Sequence, residues 1–497
     1  MRSRRLLFSS VCVFAVLVSV QLLAQSFAPA VPYGSGGNGP NAVAVADVNG
    51  DGIPDLVVAN WCTDSTCVAS SVGVLLGKGD GTFQPAVPYG SGGLYADSVA
   101  VADLRGTGKL DIVVGNCGFP KISTCDLASQ GNIGVLLNNG DGTFPATATS
   151  YSLGPNIGAA SVAIADLGNG TLDLIVAAGS ATSSTVDVLV GNGDGTFKAA
   201  VPYDSGGFTA LSVAVADVNG DNKPDVVVAN WCTDNTCVAS SVGVLLGNGD
   251  GTFQLPAKTF DSGGFLANSV AIGDVNADGK PDVGVGNGDN SLTDNLGNVA
   301  VLLGNGDGTF QMAVPYHRGG YGASSVALAD MNGDGKLDLV VANCSTSIKS
   351  CSDADGNVVV LLGNGNGTFQ TATAYGSGGT TPFGVAVGDV NGVGRPDIVA
   401  ANCVGNQCGS GAGELGVLIN TSVGSTATVL TSSPNPSSFG QAVTFTATVT
   451  SHFFKFQPTG TVTFLDGTTN IGKSPLNGSG VATLTTSALA VGTHNMT

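Results

Sequence analysis

The sequence contains few charged residues and almost none of the kind that cover helices. Charged residues make up 11% of the 497 positions, 17 residues are Lys or Arg, and a single glutamate, Glu414, stands among 36 acidic residues. Exposed helix faces favour Glu and Lys, so their scarcity argues against a helical fold. The lack of positive charge excludes a nucleic-acid partner, because no basic patch is present to neutralise phosphates.

Glycine and aspartate are abundant instead. The chain has 76 glycines, a hydrophobic content of 43% and a net charge of -19 that comes almost entirely from aspartate. Both residues are typical of turns, and aspartate is typical of metal-binding loops. These proportions predict an all-β fold with divalent cations as its charged partners.

The first 26 residues have the pattern of a signal peptide. A basic start at residues 2–5 precedes an apolar run from Leu6 to Leu23, and Ser26 is a small residue placed for cleavage before Phe27. The alternative is an uncleaved membrane anchor. No other segment has the composition of a membrane span, so we expect a secreted or cell-surface protein without a span once residues 1–26 are removed.

A unit of roughly 50 to 60 residues repeats along the chain. Its four predicted strands are of the types Val43 to Asp47, Leu56 to Ala59, Val72 to Leu76 and Ala86 to Tyr89. An acidic loop joins the first strand to the second, and a variable loop joins the second to the third. Gly-Asn-Gly-Asp-Gly-Thr-Phe or a close variant follows the third strand, and a Tyr-x-Ser-Gly-Gly loop usually starts the next unit.

Seven units predict a seven-bladed β-propeller, because radial repetition of four-stranded blades leaves few open sheet edges. The aspartates that begin the seven acidic loops are Asp47, Asp103, Asp166, Asp217, Asp274, Asp330 and Asp389. The segment that begins at Phe27 repeats the one that begins at Phe83. We therefore expect residues 27–35 to supply the fourth strand of the seventh blade and so to close the ring.

Four of the acidic loops carry oxygen-bearing side chains at positions 1, 3, 5 and 9. The sets are Asp47, Asn49, Asp51 and Asp55; Asp217, Asn219, Asp221 and Asp225; Asp274, Asn276, Asp278 and Asp282; and Asp330, Asn332, Asp334 and Asp338. Hard oxygen ligands in a short loop suit calcium, which is the expected cofactor. An EF-hand is excluded, because position 12 is Val58 and strands flank the loop. The alternative is that these aspartates only cap their own turns.

On these motifs the units resemble the FG-GAP (VCBS-type) repeats of integrin α-chain propellers and of bacterial secreted proteins. The resemblance covers residues 27–420 and implies calcium in the hairpin between the first and second strands. Three loops depart from the motif: the second has Arg105 and Thr107, the third is one residue short, and the seventh has Val393. There we expect weak or no calcium binding, with Arg105 supplying the positive charge itself.

Apart from Cys12, the cysteines form local pairs that we place in the variable loops. The pairs are Cys62 and Cys67, Cys117 and Cys125, Cys232 and Cys237, Cys344 and Cys351, and Cys403 and Cys408. Local pairs in an exported chain predict disulfides. A zinc site would need four convergent ligands, whereas these pairs lie on different blades.

The variable loops and the Tyr-x-Ser-Gly-Gly loops lie at one end of the blades, called here the variable-loop face. Trp61, Trp231, His317 and Arg318 are expected on this face. Aromatic rings with a few polar groups suit contact with a sugar or a protein, so we expect adhesion or binding of an extracellular glycan or protein ligand. The alternative for the tryptophans is that each covers its own disulfide.

Catalysis has little support in the sequence. Nearly all the aspartates recur at equivalent repeat positions, whereas a catalytic set is singular, and within the propeller only His317 with its neighbours is singular. We therefore predict that the protein is not an enzyme. The alternatives are a polysaccharide lyase or hydrolase on a propeller scaffold and a purely structural surface spacer.

Residues 425–497 change to a composition rich in Ser and Thr with alternating apolar residues, as from Thr444 to Val449. This pattern predicts a β-sandwich and resembles a bacterial Ig-like domain. Because that family continues with further strands after a segment such as Val491 to Asn495, we expect the sandwich to be truncated.

Overall fold

The computed structural model describes residues 25–117, 131–154, 157–179, 184–234, 236–288, 298–317, 319–345, 356–403, 412–422, 426–451 and 458–497. Every regular element in these ranges is a β-strand. Within the same ranges, no helix has the length and apolar character needed to cross a membrane. Contacts divide the chain into two compact units, one drawn mainly from residues 26–421 and one mainly from residues 422–497.

In the described residues, the first unit contains 27 strands. In chain order they are β1 (Val31–Ala46), β2 (Asp55–Cys62), β3 (Ser71–Leu75), β4 (Val87–Gly90), β5 (Ala96–Ala102), β6 (Asp111–Asn116), β7 (Asn132–Leu136), β8 (Thr149–Ser152), β9 (Gly158–Ala165), β10 (Asp173–Gly179), β11 (Ser184–Leu189), β12 (Val201–Asp204), β13 (Phe208–Ala216), β14 (Asp225–Cys232), β15 (Ser241–Leu245), β16 (Lys258–Asp261), β17 (Phe265–Gly273), β18 (Asp282–Gly288), β19 (Val299–Leu302), β20 (Val314–Tyr316), β21 (Tyr321–Ala329), β22 (Asp338–Ser345), β23 (Asn357–Leu361), β24 (Thr373–Gly376), β25 (Thr381–Gly388), β26 (Asp397–Cys403) and β27 (Ala412–Leu418).

These strands form blades of four antiparallel strands in chain order, as in the sheet β13-β14-β15-β16. The apolar second and third strands are buried along nearly their whole length, whereas the fourth lies at an exposed outer edge. Each first strand contacts the first strands of the neighbouring blades, and β25 contacts β1, so the blades form a closed ring. The prediction of a seven-bladed β-propeller is confirmed.

Strand β1 belongs to two blades and closes the ring. Its beginning pairs with β27, with Val31 opposite Val417 and Tyr33 opposite Leu415. Its end pairs with β2 as the first strand of blade 1. The segment that precedes the first acidic loop therefore completes blade 7, as its repetition of the segment from Phe83 predicts.

An aromatic pair connects each blade to the next. The Phe of Gly-Thr-Phe packs edge-on against the aromatic residue of the preceding blade's fourth strand, with ring centroids 5.1 to 5.5 Å apart in the pairs inside the ring. At the junction of blades 6 and 7, Phe27 packs edge-on against Tyr375 in the same way, with ring centroids 4.8 Å apart. Edge-to-face pairs add to the stabilisation that burial supplies, so the aromatic contact is repeated around the whole ring.

The second unit is a small two-layer β structure. Its strands are β28 (Thr426–Ser433), β29 (Val443–Ser451), β30 (Thr461–Asp466), β31 (Thr469–Pro475) and β32 (Val481–Thr486). One sheet has the order β28-β29-β32 and the other contains β30 and β31. Phe445 and Phe464 are buried in the core between them. At the chain end, Thr497 exchanges two backbone hydrogen bonds with Leu465 of β30. These sheets fit the predicted Ig-like sandwich.

Candidate functional site

The acidic loops form tight turns that are closed by their own aspartates. In loop 1, Asp47 accepts hydrogen bonds from the amides of Gly50 and Gly52, both at 2.7 Å. Asp51 accepts one from the amide of Ile53 at 2.8 Å. The hydrogen bonds expected of turn-capping aspartates are therefore present. Oδ1 of Asp47 accepts from the amides of Gly50 and Asp51, whereas its Oδ2 keeps a further lone pair for another donor or a cation.

The aspartate at position 9 links two parts of its blade. In loop 1 the amides of Val48 and Gly77 donate to the two oxygens of Asp55, at 2.9 and 2.7 Å. The acidic loop is thereby fastened to the end of the third strand. The equivalent residues Asp55, Asp111, Asp173, Asp225, Asp282, Asp338 and Asp397 are all fully buried. This structural role was missed in the sequence, although the aspartate is also present in the three incomplete loops.

Burial and nearby negative charge both act on this carboxyl group. Burial raises the pKa of Asp55 above its ordinary value, and the charges of Asp51 and Asp47 raise it further. The pKa values of Asp225 and Asp282 are raised by the same causes in the same order. A complete loop thus places several like charges around a buried carboxyl group, where a cation would be stabilising.

The second loop supplies such a cation from the chain itself. The guanidinium of Arg105 donates to both oxygens of Asp111, at 2.7 and 3.2 Å. Arg105 therefore places a positive charge beside Asp111, as expected, and weak or absent calcium binding in this loop stays a prediction. In the third loop, the side-chain amide of Asn169 donates to Asp173 at 2.8 Å. In these two incomplete loops a side chain of the loop therefore donates to the carboxylate that corresponds to position 9.

The oxygen atoms and the negative charge of the complete loops fit calcium, but their side-chain oxygens do not point to one common site. Within the part of the chain that the structure describes, no group of three or more His, Cys, Asp or Glu side chains is arranged to hold a metal ion. In loop 1 the carboxylate of Asp47 faces backbone amides instead. Calcium in these loops therefore stays a prediction.

Disulfides occur on the variable-loop face, as predicted. Cys62 is bonded to Cys67, and Cys232 to Cys237. The first cysteine of each pair is the last residue of a second strand and not part of the loop, because β2 and β14 run on through the tryptophan and the cysteine. Three further cysteines are disulfide-bonded, and their predicted partners lie outside the described residues: Cys117 with Cys125, Cys344 with Cys351, and Cys403 with Cys408.

Trp61 contacts the two blades beside its own. Its ring lies 5.7 Å from that of Phe383 in blade 7, with a tilt of 36°. Its indole N–H donates to the carboxylate of Asp97 in blade 2, which also accepts a hydrogen bond from the side-chain amide of Asn41 at 3.0 Å. Asp97 is partly exposed at the surface, yet burial of its carboxyl group raises its pKa to about 7. Trp61 therefore contacts blades 7 and 2, and the alternative that it only covers its own disulfide does not account for these contacts.

The other predicted ligand-binding residues are not brought into one cluster with Trp61. Trp231 is half-buried at the equivalent position of blade 4. His317 is exposed between β20 and β21, at the junction of blades 5 and 6. Arg318 lies outside the described residues. Trp61, Trp231 and His317 are thus distributed around the ring, on the same face.

A feature that the sequence reasoning missed is a β-bulge near the start of every first strand. Pairing with the second strand skips one residue, as between Ala96 and Ser98. The skipped residues, called here the bulge residues, are Asn41, Asp97, Ala160, Leu211, Asn268, Ser324 and Phe383. All are half-buried. Because the first strands form the inner ring of the propeller, these residues form a rim around its axis on the variable-loop face.

Family models match both parts of the chain. The FG-GAP-like repeat matches residues 167–228, 231–285, 286–341 and 348–400, and the FG-GAP repeat matches residues 39–60. The bacterial Ig-like domain (group 3) matches residues 430–497. No curated protein matches the sequence.

Solved structures align with the chain at low identity. A crystal structure of BBS1N in complex with ARL6DN, soaked with lead, aligns with 79% of this chain and 96% of its own, at 12% identity and a TM-score of 0.47. The Vibrio cholerae biofilm matrix protein Bap1 aligns with 80% of this chain and 91% of its own, at 13% identity and a TM-score of 0.40.

Proposed function

Because the chain belongs to the FG-GAP repeat proteins and ends in a bacterial Ig-like domain, we propose that it is an extracellular adhesion-type protein. It binds a glycan or protein ligand through the variable-loop face, and calcium in the four complete acidic loops stabilises the opposite end of the blades. The two roles are separated because the acidic loops and the variable loops lie at opposite ends of antiparallel strands.

One observation carries the calcium part of this proposal. In the second loop Arg105 occupies the space beside the position-9 carboxylate, 2.7 Å from Asp111. A loop that has Arg at position 3 places its own positive charge there, whereas the complete loops have the neutral amide of Asn, next to the carboxylate oxygens of positions 1, 5 and 9. Calcium is the cation that suits those oxygens, with dissociation constants of roughly 10⁻⁴ to 10⁻³ M for extracellular sites.

We expect the double substitution Arg105→Asn and Thr107→Asp to create a fifth calcium site. The variant would have Asp103, Asn, Asp and Asp111 at positions 1, 3, 5 and 9, as in the complete loops. Calorimetric titration should then give about one more calcium per chain. Arg105→Ala alone is the matched control: it should gain no calcium and should lose stability, by at most about 3–5 kcal/mol, because the buried carboxylate of Asp111 is left without its partly exposed partner. An unchanged stoichiometry in the double variant would contradict the assignment of the loops.

Ligand binding is tested on an array of glycans and matrix proteins, probed in calcium and in chelator. We expect binding to at least one class of ligand. Chelation should weaken this binding and lower the melting temperature together, because unneutralised acidic loops destabilise the blades that carry the variable loops. A blank array would remove the binding role and favour a structural spacer. Equal melting temperatures in calcium and chelator would remove the calcium role.

A further inference from the structure

The rim of bulge residues varies around the ring, although its backbone geometry is repeated. A β-bulge redirects a side chain out of the regular alternation of its strand, and bulges are over-represented beside functional sites. In blades 3 and 4 the redirected side chains are the apolar Ala160 and Leu211. In blades 5 and 6 they are polar and bridge to the next blade: Asn268 donates to the carbonyl of Ala323 at 2.9 Å, and Ser324 to that of Pro382 at 2.8 Å.

Among the residues that the structure describes, one sector of the rim combines aromatic rings with a carboxyl group. This aromatic sector consists of the bulge residues Phe383, Asn41 and Asp97, from blades 7, 1 and 2, together with Trp61 of β2. The indole is fixed on one side by the ring of Phe383 and at its N–H by Asp97. The amide of Asn41 holds the same carboxylate at 3.0 Å. All four residues are half-buried, and the group is ordered by their mutual contacts.

Such an arrangement has the two properties of a sugar-binding site. A pyranose with equatorial hydroxyl groups has apolar C–H faces, which pack on an aromatic ring, and hydroxyl groups at its edge, which bond to carboxylate and amide groups. A site in which polar groups fix the orientation beside an apolar wall is the usual form of a small-ligand site. Because the ring is already held in place, little side-chain entropy is lost on binding.

The charge of the molecule narrows the class of sugar. The chain carries a net charge of -19 with 17 Lys and Arg residues, so its field repels anionic polysaccharides. The favoured ligand is therefore a neutral sugar.

We propose that the aromatic sector is a subsite for a neutral oligosaccharide of pyranoses with equatorial hydroxyl groups, which rests on the proposed function of the variable-loop face. Trp61 and Phe383 form its apolar wall, Asn41 bonds to a hydroxyl group, and Asp97 holds the indole N–H and the amide of Asn41 in place. Trp231 marks the equivalent place in blade 4, where the corresponding bulge residues are Ala160, Leu211 and Asn268. That place has neither the second ring nor the carboxylate, so it is not a subsite.

The chain has two tryptophans, so each can be made a unique fluorescent reporter. Trp231→Phe leaves Trp61 as the only indole, and Trp61→Phe leaves Trp231. Both variants are titrated with hexasaccharides of β-linked glucose, xylose and N-acetylglucosamine. We expect saturable change of the Trp61 signal with at least one hexasaccharide and no change of the Trp231 signal. In the Trp231→Phe background, Phe383→Ala, which introduces the residue of blade 3, should weaken that binding by ~3- to 10-fold.

A Trp61 signal that none of the three sugars moves would overturn the subsite, as would an equal response of both reporters or an unchanged affinity in Phe383→Ala. Far-UV circular dichroism of each variant confirms that the fold is retained. Failure of the subsite is distinguishable from failure of the proposed function. If the Trp61 fluorescence does not change but the protein still binds ligands on the array, only the subsite is contradicted. If the protein binds nothing on the array, the binding role is contradicted.

Discussion

Removal of residues 27–34 is expected to lower the free energy of unfolding by about 4 kcal/mol or more. The truncated chain loses the pairing of β1 with β27 from Val31 to Gly34 and the ring contact between Phe27 and Tyr375. Net contributions of about 1 kcal/mol for each ladder hydrogen bond and for the aromatic pair give this magnitude. Urea denaturation of a chain that begins at Ser35, compared with one that begins at Phe27, measures the difference.

The truncation should lower the free energy of unfolding by more than the removal of the same aromatic contact elsewhere in the ring. Phe144→Ala removes the corresponding aromatic contact with Tyr89 between blades 1 and 2, without opening a strand edge. The truncated chain also exposes the edge of β27, so we expect cleavage by protease within 412–418 and self-association through this edge. A truncated chain that unfolds at the same urea concentration as the complete one would show that blade 7 does not depend on β1.

The fold could be predicted from the sequence because its signals are local and repeated. Strand alternation, the acidic turn and the Gly-Thr-Phe hairpin occur in each unit. The strands of a unit with an unclear pattern can therefore be assigned by comparison with the other units. Even ring closure was visible, because the segment from Phe27 repeats the segment from Phe83. The aromatic contact between blades was not, since Tyr89 and Phe144 lie far apart in sequence and only the packing of neighbouring blades brings them together.

The candidate site was harder to predict because it is made of what differs between blades. The bulge at Asp97 leaves the apolar alternation around it nearly intact, so the pattern gives no warning of a redirected side chain. Trp61 was singled out from its chemistry, yet its partners Asp97 and Phe383 come from blades on both sides. Contacts between units that are distant in sequence cannot be read from one repeat.

Blade 3 departs from the other blades at a buried position of its third strand. Four blades have glycine there, at Gly73, Gly134, Gly243 and Gly416, and a Cβ would overlap the carbonyl oxygen of a serine in the preceding loop. Blade 3 has Asp187, which is 1% exposed. Among the described residues, no hydrogen-bond donor contacts either of its carboxylate oxygens. Burial raises its pKa to about 6, and the nearby hydroxyl of Thr185 offsets only part of the rise.

This group makes the stability of the propeller depend on pH. The folded chain keeps the Asp187 proton up to about pH 6, whereas the unfolded chain releases it near 3.8. Unfolding then releases a proton between these values, so the free energy of unfolding falls as the pH rises through this window and stays lowered above it. A shift of this size corresponds to ~3 kcal/mol.

Asp187→Val should therefore stabilise the protein by ~3 kcal/mol more at pH 8 than at pH 4. Valine has a similar shape, and Val359 occupies the equivalent position of blade 6. Urea denaturation of wild type and variant, in chelator, is compared at pH 4, 5, 6 and 8, because the difference between the two chains isolates Asp187 from the other carboxyl groups. Asp187→Asn is the second variant. Because it keeps a buried polar group, it should be less stable than the valine variant. The difference between its free energy of unfolding and that of wild type should show the same dependence on pH. A constant difference across these pH values would mean that Asp187 is already ionised at pH 4 in the folded chain, and that a donor reaches it.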